Sequence, residues 1–160
     1  MLGAIAGDVI GSVYENLRTK RKDFRLFHRL ATFTDDTVLT IAVAEALLSD
    51  RDFRRSIRGH AWRRPFRGSV PEAIIAFLDS TVYEDAVRNA VSLGGDADTQ
   101  ASIAGAIAEA HYGGVPAHIA ERVWAALPPP YRQLIRHFHR AFRTPTDIEE
   151  LAGADSDRPG

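Results

Sequence analysis

The sequence predicts an all-α protein, and three features of its 160 residues carry that reading. Apolar residues recur at helical rather than alternating spacing along nearly the whole chain. Helix-start and helix-stop chemistry punctuates them: Ser or Thr followed three residues later by Glu, and a glycine pair at an exit. No segment alternates apolar and polar residues in the manner of a half-buried strand.

Taken in order, residues 2–14 read as a small-residue helix in which Gly3, Gly7 and Gly11 recur every four positions. That spacing lines one face with glycine and permits close backbone approach, although the same glycines weaken the helix on its own. Residues 16–33 read as a charged loop with scattered aromatics, Phe24, Phe27 and Phe33. The run Val38 to Leu48 is apolar almost all round, which predicts a central, fully buried helix. A basic amphipathic helix is expected over 51–62. Ser69-Val-Pro-Glu72 has the spacing of a capping box, with proline in the first turn, and opens a helix Ala73–Leu78. Thr81-Val-Tyr-Glu84 repeats the device before Asp85–Leu93, which Gly94-Gly95 stops. Helices over 99–112, 117–126 and 131–142 complete the set. From Thr144 onward the chain is acidic and poor in apolar residues, so a single domain over 1–143 and a flexible tail over 144–160 are expected.

Composition excludes several function classes. A formal charge of −1 and a pI near 6.6 argue against an electrostatic binder of nucleic acid or anionic membrane. The absence of cysteine rules out disulfides, thiolate zinc sites and cysteine nucleophiles. The opening residues lack a basic stretch, and Asp8 interrupts their apolar run, unlike a signal peptide. No run approaches the roughly 20 apolar residues of a membrane span. The expected location is cytoplasmic. His60, His111, His118, His137 and His139 follow no metal-ligand spacing. There is no phosphate-cradling P-loop and no nucleophilic serine motif.

One stretch asks for more than a structural role. FTDDTVLT, residues 33–40, places Thr34, Asp35 and Asp36 at the entrance to an apolar helix, where a single acceptor suffices as a cap. Residues 94–110, GGDADTQASIAGAIAEA, echo it at a constant offset of 62: Asp36-Thr37 matches Asp98-Thr99, Ile41-Ala42 matches Ile103-Ala104, and Thr34 falls opposite Asp96. Either cluster alone reads as an N-cap, with acids favoured by the helix dipole. Together, Asp35, Asp36, Asp96 and Asp98 would repel one another at the starts of two buried helices. Divalent cations relieve that repulsion, and four carboxylates carry the charge for two of them. An all-oxygen ligand set selects hard ions, Mg²⁺ or Mn²⁺, over zinc.

GAIAGDVIGSVYE (3–15), FTDDTVLTIAVAEALL (33–48) and the stretch from GSVPEAIIAFL to AGAIAEAHYG (68–113) resemble the ADP-ribosylglycohydrolase family, the all-helical group that includes the dinitrogenase reductase-activating glycohydrolases. The resemblance implies a compact orthogonal helical bundle with two Mg²⁺ (or Mn²⁺) ions. It implies that Thr34, Asp35, Asp36 and Asp98 hold one ion and Asp96, Asp98 and Thr99 the other, with Asp98 bridging. Glu15, Asp35 and Asp98 are the implied catalytic residues, and Glu15, Asp36, Gly95 and Asp96 the implied substrate contacts. Asp8 reads as supporting. The implied substrate is ADP-ribose joined to a protein side chain or a small acceptor, hydrolysed at its anomeric bond.

The chain departs from the family between Arg54 and Gly68, where RSIRGHAWRRPFR replaces a longer central segment. Two readings follow: a working hydrolase, or a module that binds metal and ADP-ribose with little turnover because that wall of the pocket is gone. A third, a metal-dependent nucleotide pyrophosphatase, would need paired Glu-x-x-Glu ligands that the sequence lacks. The basic run Arg51 to Arg67 reads either as a diphosphate contact or as a solvated helix face. Apolar surface left uncovered by the missing segment predicts self-association.

Overall fold

Three glycines one helical turn apart decide how the molecule is assembled. In the computed structural model, which describes residues 1–17, 19–49, 69–149 and 151, the first helix α1 (Leu2–Gly11) lies antiparallel on the long helix α6 (Ala97–Tyr112). A Cβ on Gly7 would stand 2.0 Å from the Ala101 carbonyl oxygen, and one on Gly11 2.5 Å from that of Ala97. The helices therefore touch backbone to backbone, and every residue of α1 is buried.

The other described elements are also helical: α2 (Tyr14–Leu17), α3 (Asp35–Leu48), α4 (Ser69–Leu78), α5 (Tyr83–Leu93), α7 (Ala117–Ala126) and α8 (Pro129–Phe142). Helix α6 is the centre of the bundle, with α1, α5 and α4 packed round it, while α8 packs on α3 and α7 on α1. The core between them holds Ile5, Ile10, Val87, Val91, Ile119 and Val123, all buried. Each contributes roughly 1.5–3 kcal/mol by leaving water. Gly94 ends α5 at φ 73°, and Gly113, left-handed at φ 80°, ends α6; both are positions where a side chain would be strained. Among the described residues no helix is long and apolar enough to cross a membrane.

The fold differs from the sequence reading in four places. Helix α3 is not a central, fully buried rod: Thr37, Ile41, Ala44 and Ala46 are buried, but Val38, Leu39 and Leu47 are 44%, 40% and 46% exposed. The central rods are α1 and α6 instead, because glycine and alanine let them approach where bulkier residues cannot. The helix expected over 2–14 breaks after Gly11, and a short second helix carries Glu15. Neither expected capping box forms. Ser69 and Glu72 are drawn to partners on α6, and Glu84 pairs with Arg88 and His118. The expected tail begins too early: Thr146, Ile148 and Leu151 are buried, and the Thr146 hydroxyl donates to buried Glu109 at 2.6 Å. The helix over 51–62, the basic run Arg51 to Arg67, His60 and residues 152–160 lie outside the described residues.

The loop before α3 matters because it delivers the candidate site. Its aromatics anchor it: Phe24 packs on Tyr14 with ring centroids 4.5 Å apart, and Phe33 packs on Tyr131 at 5.7 Å. Arg88 donates to the carbonyls of Lys22 and Phe24, and the Tyr14 hydroxyl to that of Arg25. A charged stretch is thereby held to one path between α2 and Thr34.

Candidate metal centre

The antiparallel docking of α1 on α6 brings the C-terminal end of one beside the N-terminal end of the other. Asp8 and Glu15 therefore approach Asp96 and Asp98, and the anchored loop adds the start of α3. Asp8, fully buried at 0% exposure, ties that start down. Its Oδ1 accepts the Thr34 hydroxyl at 2.5 Å, and its Oδ2 accepts the backbone N–H of Thr34 at 2.9 Å and of Thr37 at 3.1 Å. The Thr37 hydroxyl also donates to Oδ2. Hydrogen bonds to an ionised acceptor are among the strong ones, which offsets the burial of this carboxylate.

Five carboxylates gather in two overlapping groups. Asp8, Asp36 and Asp98 form one and Glu15, Asp96 and Asp98 the other; in each, three oxygens lie within 4.8 Å of one another. Asp98 belongs to both. The Thr99 hydroxyl donates to Asp36 Oδ2 at 2.8 Å, and the Thr99 N–H to Asp98 Oδ1 at 2.9 Å. Thr34 accepts from the Asp36 N–H at 3.4 Å and caps α3. Asp96 sits at the N-cap of α6 yet makes no capping bond; its Oδ2 accepts the Ser69 hydroxyl at 3.0 Å. Capping thus accounts for Thr34 and leaves the acids unexplained.

The electrostatics are those of acids crowded together. Burial raises Asp36 above its ordinary value; the Thr99 hydroxyl opposes the shift, and the charges of Asp8, Asp35 and Asp96 add to it. Asp98 is pushed up to about 7, chiefly by burial, then by a hydrogen bond shared with Asp96, against the pull of the Thr99 N–H. The charges of Glu15 and Asp96 push it the same way. Among the described residues no Lys, Arg or His forms an ion pair with any of the five. Carboxylates gathered this closely, from buried Asp8 and Asp98 to exposed Glu15 and Asp96, and flanked by the hydroxyls of Thr34 and Thr99, suit a hard divalent ion.

Of the residues the sequence singled out, the structure brings Thr34, Asp36, Asp96, Asp98 and Thr99 to one end of the bundle, with Glu15 facing Asp96 and Asp98. Asp35 is exposed and belongs to neither carboxylate group. Gly95, exposed at φ 85° with nothing near the place of a Cβ, leaves open space beside Asp96. Sequence reading had Asp8 as supporting. It does support Thr34 and Thr37, but it also supplies an oxygen to the first group. Its signal was a buried acid on the glycine helix, without the donors that come from 26 and 29 residues away. A groove of about 380 Å³ opens beside Asp36, lined by Ala4, Leu39, Thr40, Val43 and Ser102.

The family described as ADP-ribosylglycohydrolase matches residues 49–153, more than half of the chain. The match takes in Gly95, Asp96, Asp98 and Thr99 but begins after Asp8, Glu15 and the start of α3. No curated protein and no solved structure matches the chain.

Proposed function

Because the chain belongs to the ADP-ribosylglycohydrolase family, we propose that it is a metal-dependent hydrolase that releases ADP-ribose from ADP-ribosylated protein side chains or small acceptors. The observation that carries this reading is the membership of Asp98 in both carboxylate groups, with no ion pair to Lys, Arg or His among the described residues.

Asp36 and Asp98, with Thr34, Asp8 and Asp35 beside them, would hold one Mg²⁺ or Mn²⁺. Asp96 and Asp98, with Thr99, would hold a second. When bound, such ions act as Lewis acids that orient sugar hydroxyls and lower the pKa of water. The remaining work falls to the chain. Glu15 would take a proton from an attacking water, a role supported by its exposure and by its oxygen lying within 4.8 Å of Asp96 and Asp98 oxygens. Cleavage of the anomeric bond passes through an oxocarbenium-like state. The open backbone at Gly95 leaves room for the distal ribose. Such a protein would act in the cytoplasm.

The test is incubation with arginine-linked and serine-linked ADP-ribosylated protein in Mg²⁺ or Mn²⁺, quantifying free ADP-ribose. Release that chelator and Asp98→Ala both abolish supports the proposal; release indifferent to both overturns it. A second reading, metal and ADP-ribose binding with little turnover, draws on the exposure of Val38 and Leu39 beside the site. An open wall excludes water poorly and weakens transition-state stabilisation. Metal-dependent binding of ADP-ribose without release would favour it.

A further inference from the structure

The one motif that neither the fold nor the site has absorbed is Ser69-Val-Pro-Glu72. Its spacing is that of a capping box, yet both side chains reach across an interface instead. Ser69, buried at the first residue of α4, donates its hydroxyl to Asp96 Oδ2 at 3.0 Å. One turn on, Glu72 accepts from Nε2 of buried Gln100. The first turn of α4 is thus joined to the first turn of α6 at two levels.

We propose that Ser69 is a positioning residue for the metal centre, holding the Asp96 carboxylate off the end of its own helix and toward Asp98 and Glu15. The inference rests on the metal-binding reading above. An aspartate at an N-cap ordinarily accepts an N–H from the second or third residue of its helix, a bond that stabilises the helix. Asp96 makes none, and the third N–H, that of Thr99, goes to Asp98. Asp96 is itself exposed, and besides Ser69 it is oriented by the hydrogen bond it shares with Asp98, which an ion held by both carboxylates would replace. Ser69 offers a buried hydroxyl from a helix that the Glu72–Gln100 bond also joins to α6, and it donates that proton to Asp96. Losing that donor frees Asp96 to become an ordinary cap, which suits the helix and spoils the ligand.

That opposition between stability and metal affinity makes the idea testable. Mn²⁺ binding by titration calorimetry and metal-free thermal unfolding are compared for the parent, Ser69→Ala and Ser69→Thr. The expected result is roughly tenfold or greater loss of Mn²⁺ affinity in Ser69→Ala, the scale typical of hydrogen bonds that orient a metal ligand. Its metal-free melting temperature should be unchanged or higher, and Ser69→Thr should recover affinity. Unchanged Mn²⁺ affinity in Ser69→Ala would overturn the inference while leaving the metal site standing. A melting temperature that falls together with affinity would also overturn it, by showing that Ser69 only holds α4 in place. A parent that binds no Mn²⁺ would remove the metal-binding reading itself, and this inference with it.

Discussion

The helix starts at 34–37 and 96–99 place Asp-Thr pairs at equivalent steps, and the two threonines are used alike: Thr37 donates to Asp8 and Thr99 to Asp36. What holds each start in place is different. The start of α3 is fastened by polar bonds from a single buried carboxylate on another helix, Asp8, and its own cap is Thr34. The start of α6 is fixed by contact of its backbone with the α1 glycines, and its N-cap aspartate is turned to another task. One half of the centre is thus preformed by packing, and the other is pinned by charge.

The sharpest way to break this comparison is Asp98→Ala, because Asp98 serves both carboxylate groups while Asp36 serves one. Its loss of Mn²⁺ affinity should exceed the roughly 100-fold upper range for residues that only orient a ligand, and should exceed that of Asp36→Ala. Calorimetric titration of both variants decides it; equal losses would make the two halves interchangeable.

Gly7→Ala tests the packed half. The new Cβ would meet the Ala101 carbonyl at 2.0 Å, and neither backbone can yield cheaply. A loss of about 3 kcal/mol in denaturant unfolding is expected, with both helix starts displaced. Asp8→Asn tests the pinned half. The amide keeps one acceptor oxygen but turns a donor on the donors of Thr34 and Thr37, at a cost of about 2 kcal/mol. Hydrogen exchange should then quicken at Thr34 to Val38 and stay slow in α6. Uniform quickening would show that α3 and α6 are fastened together.

A further effect is that of pH. Asp98 has a folded pKa of about 7, above the roughly 3.9 of an unfolded aspartate, so the native state binds its proton more tightly. Its contribution to metal-free stability is complete below pH 4 and is lost as pH rises through 7. Melting temperatures from pH 5 to 8 should carry a downward slope that Asp98→Asn flattens. Saturating Mn²⁺ should reverse the slope, since the ion competes with the proton. A slope unaltered by Asp98→Asn would place the titration elsewhere.

The pairing of these starts was legible because a carboxylate cluster repeats at a fixed offset, and repulsion between such clusters has a small set of remedies. The glycine stripe was legible for a similar reason, since its period matches the helix. Environment was not. Ala44 is buried while its counterpart Ala106 is exposed, and Ala42 is exposed while Ala104 is buried. An apolar run states that a helix can be covered, not which of its faces the fold covers. Ser69 and Glu72 misled because a local pattern predicts a local bond, whereas their partners Asp96 and Gln100 lie 27 and 28 residues on. The segment after Thr144 misled because two apolar residues, Ile148 and Leu151, are too few to give a period yet enough to dock.

Backbone contact between α1 and α6 also makes their alignment discrete. Gly3, Gly7 and Gly11 meet Gly105, Ala101 and Ala97 as teeth of equal pitch, so the rods can engage only at whole notches. A slip of one notch, four residues, displaces them by about 6 Å. That exceeds the 4.8 Å across which Asp8 and Asp98 share a group. Small deformations elsewhere in the bundle therefore cannot detune the spacing of these acids gradually; they leave it intact or abolish it, and the glycine comb acts as the gauge against which the centre is set.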